Sequence, residues 1–166
     1  PPYLSDMGVS ATVASWGLAM IGLFNIVGSY LSGPLSARWS RKILLSVIYF
    51  SRAVVFVIFL WAPLSTVSVL CFGAAMGVLW LSTVPPTAQL VGVMFGNRYL
   101  AMLFGFVFLS HQIGAFFGVW LGGKIFAMTG SYLPIWWGSV VLALIASLLH
   151  LPIRERLWVA RLKMES

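Results

Sequence analysis

The chain has 166 residues, 61% of them apolar and only 8% charged, with a formal net charge of +7. So few charges cannot disperse that much apolar surface in water, so the composition excludes an aqueous domain and makes the bilayer the natural solvent. The cations do not mark a nucleic-acid binder, because Lys and Arg lie mainly in short gaps between long apolar runs and form no basic face or aromatic ladder.

The chain opens Pro1-Pro2-Tyr3, with neither an initiator Met nor the basic, apolar and small-residue order of a signal peptide, and its start reads as a truncation. Crossing a hydrocarbon core of about 30 Å takes about 20 mostly apolar residues. Five runs meet that length, at about 10–32, 42–62, 66–95, 99–128 and 132–151. They lack the alternation of barrel strands, and lipid leaves no partner for stray backbone groups, so the fold class is an all-α integral membrane protein of about five transmembrane helices. The connections, 33–41, 63–65, 96–98 and 129–131, are short and predict sequential helices packed as antiparallel neighbours in a compact bundle.

The first run carries Asn25, a polar residue placed either to meet solute or to bond across helices. After it comes Gly33-Pro34-Leu35-Ser36-Ala37-Arg38-Trp39-Ser40-Arg41-Lys42. Gly33 and Pro34 suit a tight turn, and Arg38, Arg41 and Lys42 suit pairing with helix ends and lipid phosphates, either as a gating loop or simply as a cytoplasmic basic loop.

Arg52 stands about ten positions into the second run, and no acidic residue lies within any run. A cation at that depth needs a partner beyond this chain, a cluster of carbonyls or an anionic substrate, unless it snorkels to the interface. In the third run Gly73 and Gly77 share a face, Cys71 reads as a small packing residue, and Pro85-Pro86 interrupts backbone bonding where Thr83, Thr87 and Gln89 can face a wet cavity. Static packing and a structural bend explain the glycines and prolines equally well.

The fourth run has a polar step at Ser110, His111 and Gln112, followed by Gly114, Gly118 and Gly122 at helical spacing. His111 suits carboxylate binding or proton coupling, or a hydrogen bond across a helix interface. The fifth run ends at His150, read as interfacial. The tail, 152–166, carries Arg154, Arg156, Arg161 and Lys163 among Leu157, Trp158 and Leu162, which suits either a helix lying on anionic lipid or a disordered segment.

Eight of the ten basic residues, Arg38, Arg41, Lys42, Arg98 and the four in the tail, fall on one side of this arrangement, whereas Asp6 and Lys124 fall on the other. With five crossings, Pro1 is expected outside and Ser166 in the cytoplasm of an inner, or cell, membrane. Trp61, Trp136, Trp137 and Trp158 lie near the expected interfaces as anchors.

The loop from Gly33 to Lys42 resembles the major facilitator superfamily pattern of glycine, any residue, leucine, small, aspartate, arginine, any, glycine, arginine, basic. Gly33, Leu35, Ser36, Arg38, Arg41 and Lys42 match by position, while Ala37 replaces the aspartate and Ser40 the second glycine. Residues 2–10 look like the external entry to that family's eighth helix. Gly114, Gly118, Gly122 and Gly123 with Thr129-Gly130-Ser131-Tyr132 look like the end of its eleventh helix and the turn into the twelfth. The resemblance implies that the runs are helices eight to twelve, a partial carboxy-terminal bundle lacking its amino-terminal half. Within the superfamily the pattern is most similar to bacterial monocarboxylate and oxalate-formate carriers.

No phosphate-binding glycine loop, metalloprotease motif or nucleophile elbow is present, so the reading is a non-enzyme without a cofactor or metal. The leading expectation is alternating-access transport of a small organic anion, with a coupled proton as a further partner. In it Arg52 attracts a carboxylate and His111, Gln112, Asn25 and Gln89 furnish binding or coupling groups. The alternatives are an exporter of hydrophobic compounds and a non-transporting structural subunit of the membrane.

Overall fold

A computed structural model describes residues 2–155. The basic tail from Arg156 onward, with Trp158, lies outside the described residues. The elements are α1 (Pro2–Asp6), α2 (Ala11–Arg38), α3 (Arg41–Trp61), α4 (Thr66–Trp80), α5 (Val84–Phe95), α6 (Leu100–Thr129) and α7 (Leu133–His150). A 3₁₀ turn, Leu81–Thr83, joins α4 to α5, and another, Asn97–Tyr99, leads into α6. Five spans, with α4 and α5 together forming one, are long and apolar enough to cross a membrane, at nearly the positions expected.

Local chemistry sets the ends. Ser10 caps α2 by accepting from the Val13 amide, and Ser65 and Ser68 form a reciprocal capping box at the start of α4. Gly130 closes α6 in the left-handed conformation, φ 64°, its N–H bonded to the Phe126 carbonyl.

Gly33 and Pro34 depart from expectation, for they lie inside α2, and the turn shrinks to Trp39 and Ser40. Proline removes one backbone donor, but hydroxyls and neighbouring helices satisfy freed groups within a membrane helix. Here the Ser36 hydroxyl (2.8 Å) and the Gln89 amide (3.3 Å) both donate to the Gly33 carbonyl, and Ser36 is fully buried.

The packing order also differs from the expected chain of sequential neighbours. The extensive interfaces are α2 with α4 and α3 with α7. Short loops fix the direction of successive helices but not their closest partners, which small residues select by allowing backbones to approach. A Cβ on Gly73 would stand 2.5 Å from the Gly17 carbonyl oxygen, and one on Gly77 would stand 2.7 Å from that of Ile21. At the other interface Ser46 and Ser147 donate hydroxyls to each other's carbonyls, both at 2.8 Å, beside a core of Ala53, Val140 and Ala143.

The second glycine series behaves differently. Nothing lies within 4 Å of a Cβ at Gly114 or Gly118, and Gly122 meets only the Ile135 side chain, at 3.8 Å. No residue of α6 is buried among those described. Cys71, expected in packing, is exposed. Trp61 and Trp137 are exposed as anchors should be, whereas Trp136 packs into an aromatic cluster with Tyr3, Phe59 and Phe72, ring centroids 5.4–5.8 Å from its own. The outer surface is apolar nearly throughout, with Ile26 70% and Val119 79% exposed, which suits lipid and not water.

Candidate functional site

Arg52 is the twelfth residue of α3, about 17 Å along its axis at the usual rise per residue. Its Nε and Nη2 donate to the Leu79 carbonyl at 3.2 and 2.5 Å, and Nη2 also donates to the Trp80 carbonyl at 2.5 Å. These carbonyls are at the end of α4, where the helix leaves its last acceptors without intrahelical donors and the dipole is negative. The interruption there follows from Pro85 and Pro86, which cannot donate to the preceding turn, so the chain tightens into the 3₁₀ turn before α5 begins. Thr87 donates to the Thr83 carbonyl at 2.6 Å, and Ser82 donates to that of Val78. Of the partners open to Arg52 in the sequence, the carbonyl cluster is present and engages Nε and Nη2.

The guanidinium also lies over the Tyr49 ring, 4.9 Å from its centroid, and 6.0 Å from that of Trp80. On Tyr49 stacks His150, centroids 5.1 Å apart and planes at 25°. Helical side chains lean toward their own amino termini, so on antiparallel helices Tyr49 leans toward the Arg41 end of α3 while His150 leans inward, and the rings meet between their backbones. His150 Nδ1 is 2.6 Å from the Ala146 carbonyl, which can only accept, so Nδ1 carries the hydrogen.

Tyr49, Arg52 and His150 line one side of a cavity of about 480 Å³. Thr83 and Thr87 line the second, and α6 closes the third with Phe104, Phe108, Ser110 and His111. Arg52 and His111, paired in the sequence reading, thus share a cavity. Tyr49 and Trp80 were not foreseen, and His150 was foreseen only as an interfacial residue. The legible signal was the i, i+3 spacing of Tyr49 and Arg52 on one helix face.

The other candidates lie elsewhere. Gln112 is exposed and absent from the lining of this cavity. The Asn25 side-chain oxygen accepts from the Leu81 amide at 3.2 Å, tying α2 to the 3₁₀ turn. Gln89 holds Gly33, and with Arg41 it borders a second cavity of about 330 Å³ near the Gly92 and Asn97 turn. Arg38 is exposed at the end of α2.

Arg41 and Lys42 meet Glu155 from beyond α7. Glu155 Oε1 accepts from the Ser40 hydroxyl at 2.6 Å and the Lys42 amide at 2.8 Å, and Oε2 lies 3.5 Å from Arg41 Nη1. Burial pushes the Glu155 carboxyl upward, but these donors and the Arg41 charge outweigh it and hold the carboxyl below the usual carboxylate range. The family's loop aspartate is absent at Ala37, and the acidic group at this loop comes from Glu155 instead.

Five apolar spans, four of which line a cavity that holds one deep cation, define a multi-pass helical membrane protein. The chain belongs to the Major Facilitator Superfamily, whose family model matches residues 1–160. It is 28% identical over 155 residues to the Bacillus subtilis (strain 168) protein described as an uncharacterized MFS-type transporter, YcxA. That match covers 90% of this chain but 38% of the relative, so the chain spans well under half the length of the curated protein it resembles. No solved structure matches it.

Proposed function

We propose that this chain is most of the carboxy-terminal bundle, helices eight to twelve, of a secondary carrier in the cell membrane, and that the carrier moves small organic anions by alternating access. The observation that carries this reading is Arg52. Its Nε and Nη2 are engaged by carbonyls, but Nη1 meets no acceptor among the described residues, and the residue lines the cavity. A fixed cation within the membrane is expensive and marks a solute pathway when it faces a wet space. An arriving carboxylate supplies the counter-charge, and the fork geometry of guanidinium suits it. One fixed cation beside the apolar surfaces of Trp80, Phe104 and Phe108 supports the class of monocarboxylates.

Transport needs the opposing bundle, so the test is proteoliposome uptake of radiolabelled small carboxylates by the longer carrier. Charge-assisted bonds contribute about 1.5–3 kcal/mol each, so Arg52→Ala is expected to lower uptake at least tenfold. Arg52→Lys keeps the charge without the fork and should fall between. Unchanged uptake in the Ala variant sinks the reading. The aromatic wall favours a second reading, export of hydrophobic neutral compounds, which predicts that neutral ligands bind and that Arg52→Ala leaves their binding unaltered.

A further inference from the structure

We infer that the anion taken by this cavity is an aromatic carboxylate bearing a ring hydroxyl, with Arg52 holding the carboxylate and Thr87 and Ser110 accepting a hydrogen bond from the hydroxyl. The inference rests on the anion-carrier reading and names its substrate class more closely.

The hydroxyls of the cavity have already given their hydrogens to the backbone. Thr87 Oγ1 donates to the Thr83 carbonyl at 2.6 Å, Ser110 Oγ to the Val107 carbonyl at 2.8 Å, and Thr83 Oγ1 to the Trp80 carbonyl at 3.4 Å. A hydroxyl has one hydrogen and two acceptor lone pairs, so each of these can still accept, but can donate to a ligand only by breaking its bond to the helix. All three residues line the cavity. Acceptors are the opposite of what a carboxylate needs. The carboxylate therefore belongs at Arg52, whose Nη1 meets no acceptor among the described residues, and the hydroxyls belong to a second, hydrogen-donating group of the same ligand.

The two kinds of group are separated along the cavity. Thr83 shares the Trp80 carbonyl with Arg52 Nη2, and Thr87 lies four residues on, about 6 Å at the usual helical rise. A ligand held at both ends needs a rigid apolar body between them. A benzene ring with a carboxylate and a hydroxyl at opposite positions has that form, and Trp80, Phe104 and Phe108 furnish rings for it to pack against.

Charge narrows the class further. Among the described residues the lining contains no Asp, Glu, Asn or Gln. A second carboxylate would lack a further guanidinium or ammonium, a ligand ammonium would lack an anion, and a charge buried without a partner is costly. The donor is thus a neutral one, and a ring hydroxyl is its simplest form.

The experiment measures calorimetric affinities of the longer carrier in detergent at about pH 7, where carboxylates are ionised and phenols are not. The probes are benzoate, para-hydroxybenzoate, para-methoxybenzoate and cyclohexanecarboxylate. In the wild type, the hydroxy acid is expected to bind about tenfold more tightly than the methoxy acid, whose oxygen has no hydrogen to give. Benzoate is expected to bind several-fold more tightly than cyclohexanecarboxylate. Thr87→Val combined with Ser110→Ala should erase the preference for hydroxy over methoxy, whereas Thr87→Ser, which retains the hydroxyl, should keep it. The wild-type ranking needs no substitution and decides the matter if the double variant does not fold. Equal affinities for the hydroxy and methoxy acids in the wild type, or a preference that survives in the folded double variant, overturn the hydroxyl assignment and leave the anion carrier standing. Equal affinities for benzoate and cyclohexanecarboxylate overturn the aromatic assignment and likewise leave the carrier standing. Binding of no small carboxylate by folded protein overturns both the inference and the reading beneath it.

Discussion

Glu155 meets the start of α3 as an N-cap supplied from the far end of the chain, because Ser40, though in the cap position, makes no capping bond of its own. Its carboxyl is held below the ordinary range, so the unfolded chain binds the proton more readily than the folded one. The contribution to stability is therefore complete above the usual carboxylate pKa and is lost as pH falls through the depressed folded value. We expect Glu155→Gln to lower the melting temperature in detergent at pH 7 by an amount on the order of 1 kcal/mol in stability, the typical worth of a cap. The gap between variant and wild type should close as the pH drops below the ordinary carboxylate range. An undiminished gap in acid would mean that the charge is not what acts.

At the scale of elements, the two glycine series make opposite predictions although their spacing is alike. Gly77 meets the backbone of α2, and Gly114 meets nothing. Gly77→Ala must push α2 away from α4 and should cost about 1–3 kcal/mol in a reversible unfolding titration. Gly114→Ala gains helix propensity with no clash and should be neutral or slightly stabilising. Equal effects at both sites would contradict the packing described. The proline pair is testable through its consequence for Arg52. Pro85→Ala with Pro86→Ala restores two donors to the Leu81–Thr83 turn, and a continuous helix would withdraw the Leu79 and Trp80 carbonyls from the guanidinium. The expected outcome is a more heat-stable protein with weaker binding of small carboxylates.

For the whole molecule, the charge asymmetry makes a definite forecast of orientation. In a Cys71→Ser background, Ser131→Cys in the α6–α7 turn should react with a membrane-impermeant maleimide added to intact cells. Asn97→Cys in the α5–α6 turn should react only after the membrane is opened. The reverse pattern would invert the topology. Helix α6 closes the Arg52 cavity with little of its own surface covered by the other helices. In a two-bundle carrier such a helix is placed to meet the opposing bundle, and Gly114 and Gly118 would then serve that contact.

The sequence by itself determined the solvent, the number of spans and their limits to within a few residues, apart from the end of α2. The length of apolar runs and the capping chemistry are local properties of the chain. It also singled out Arg52, because a cation within an apolar run stands out without any knowledge of its neighbours. Only the tertiary structure decided that α2 pairs with α4 and α3 with α7, that Pro34 sits within a helix, and that Glu155 caps α3 from more than a hundred residues away. It likewise decided that His150 and Tyr49 join Arg52 in one cavity while Gln112 stays outside it. Those outcomes depend on which helix faces approach and how side chains lean between antiparallel axes, and neither is encoded in the spacing along one helix.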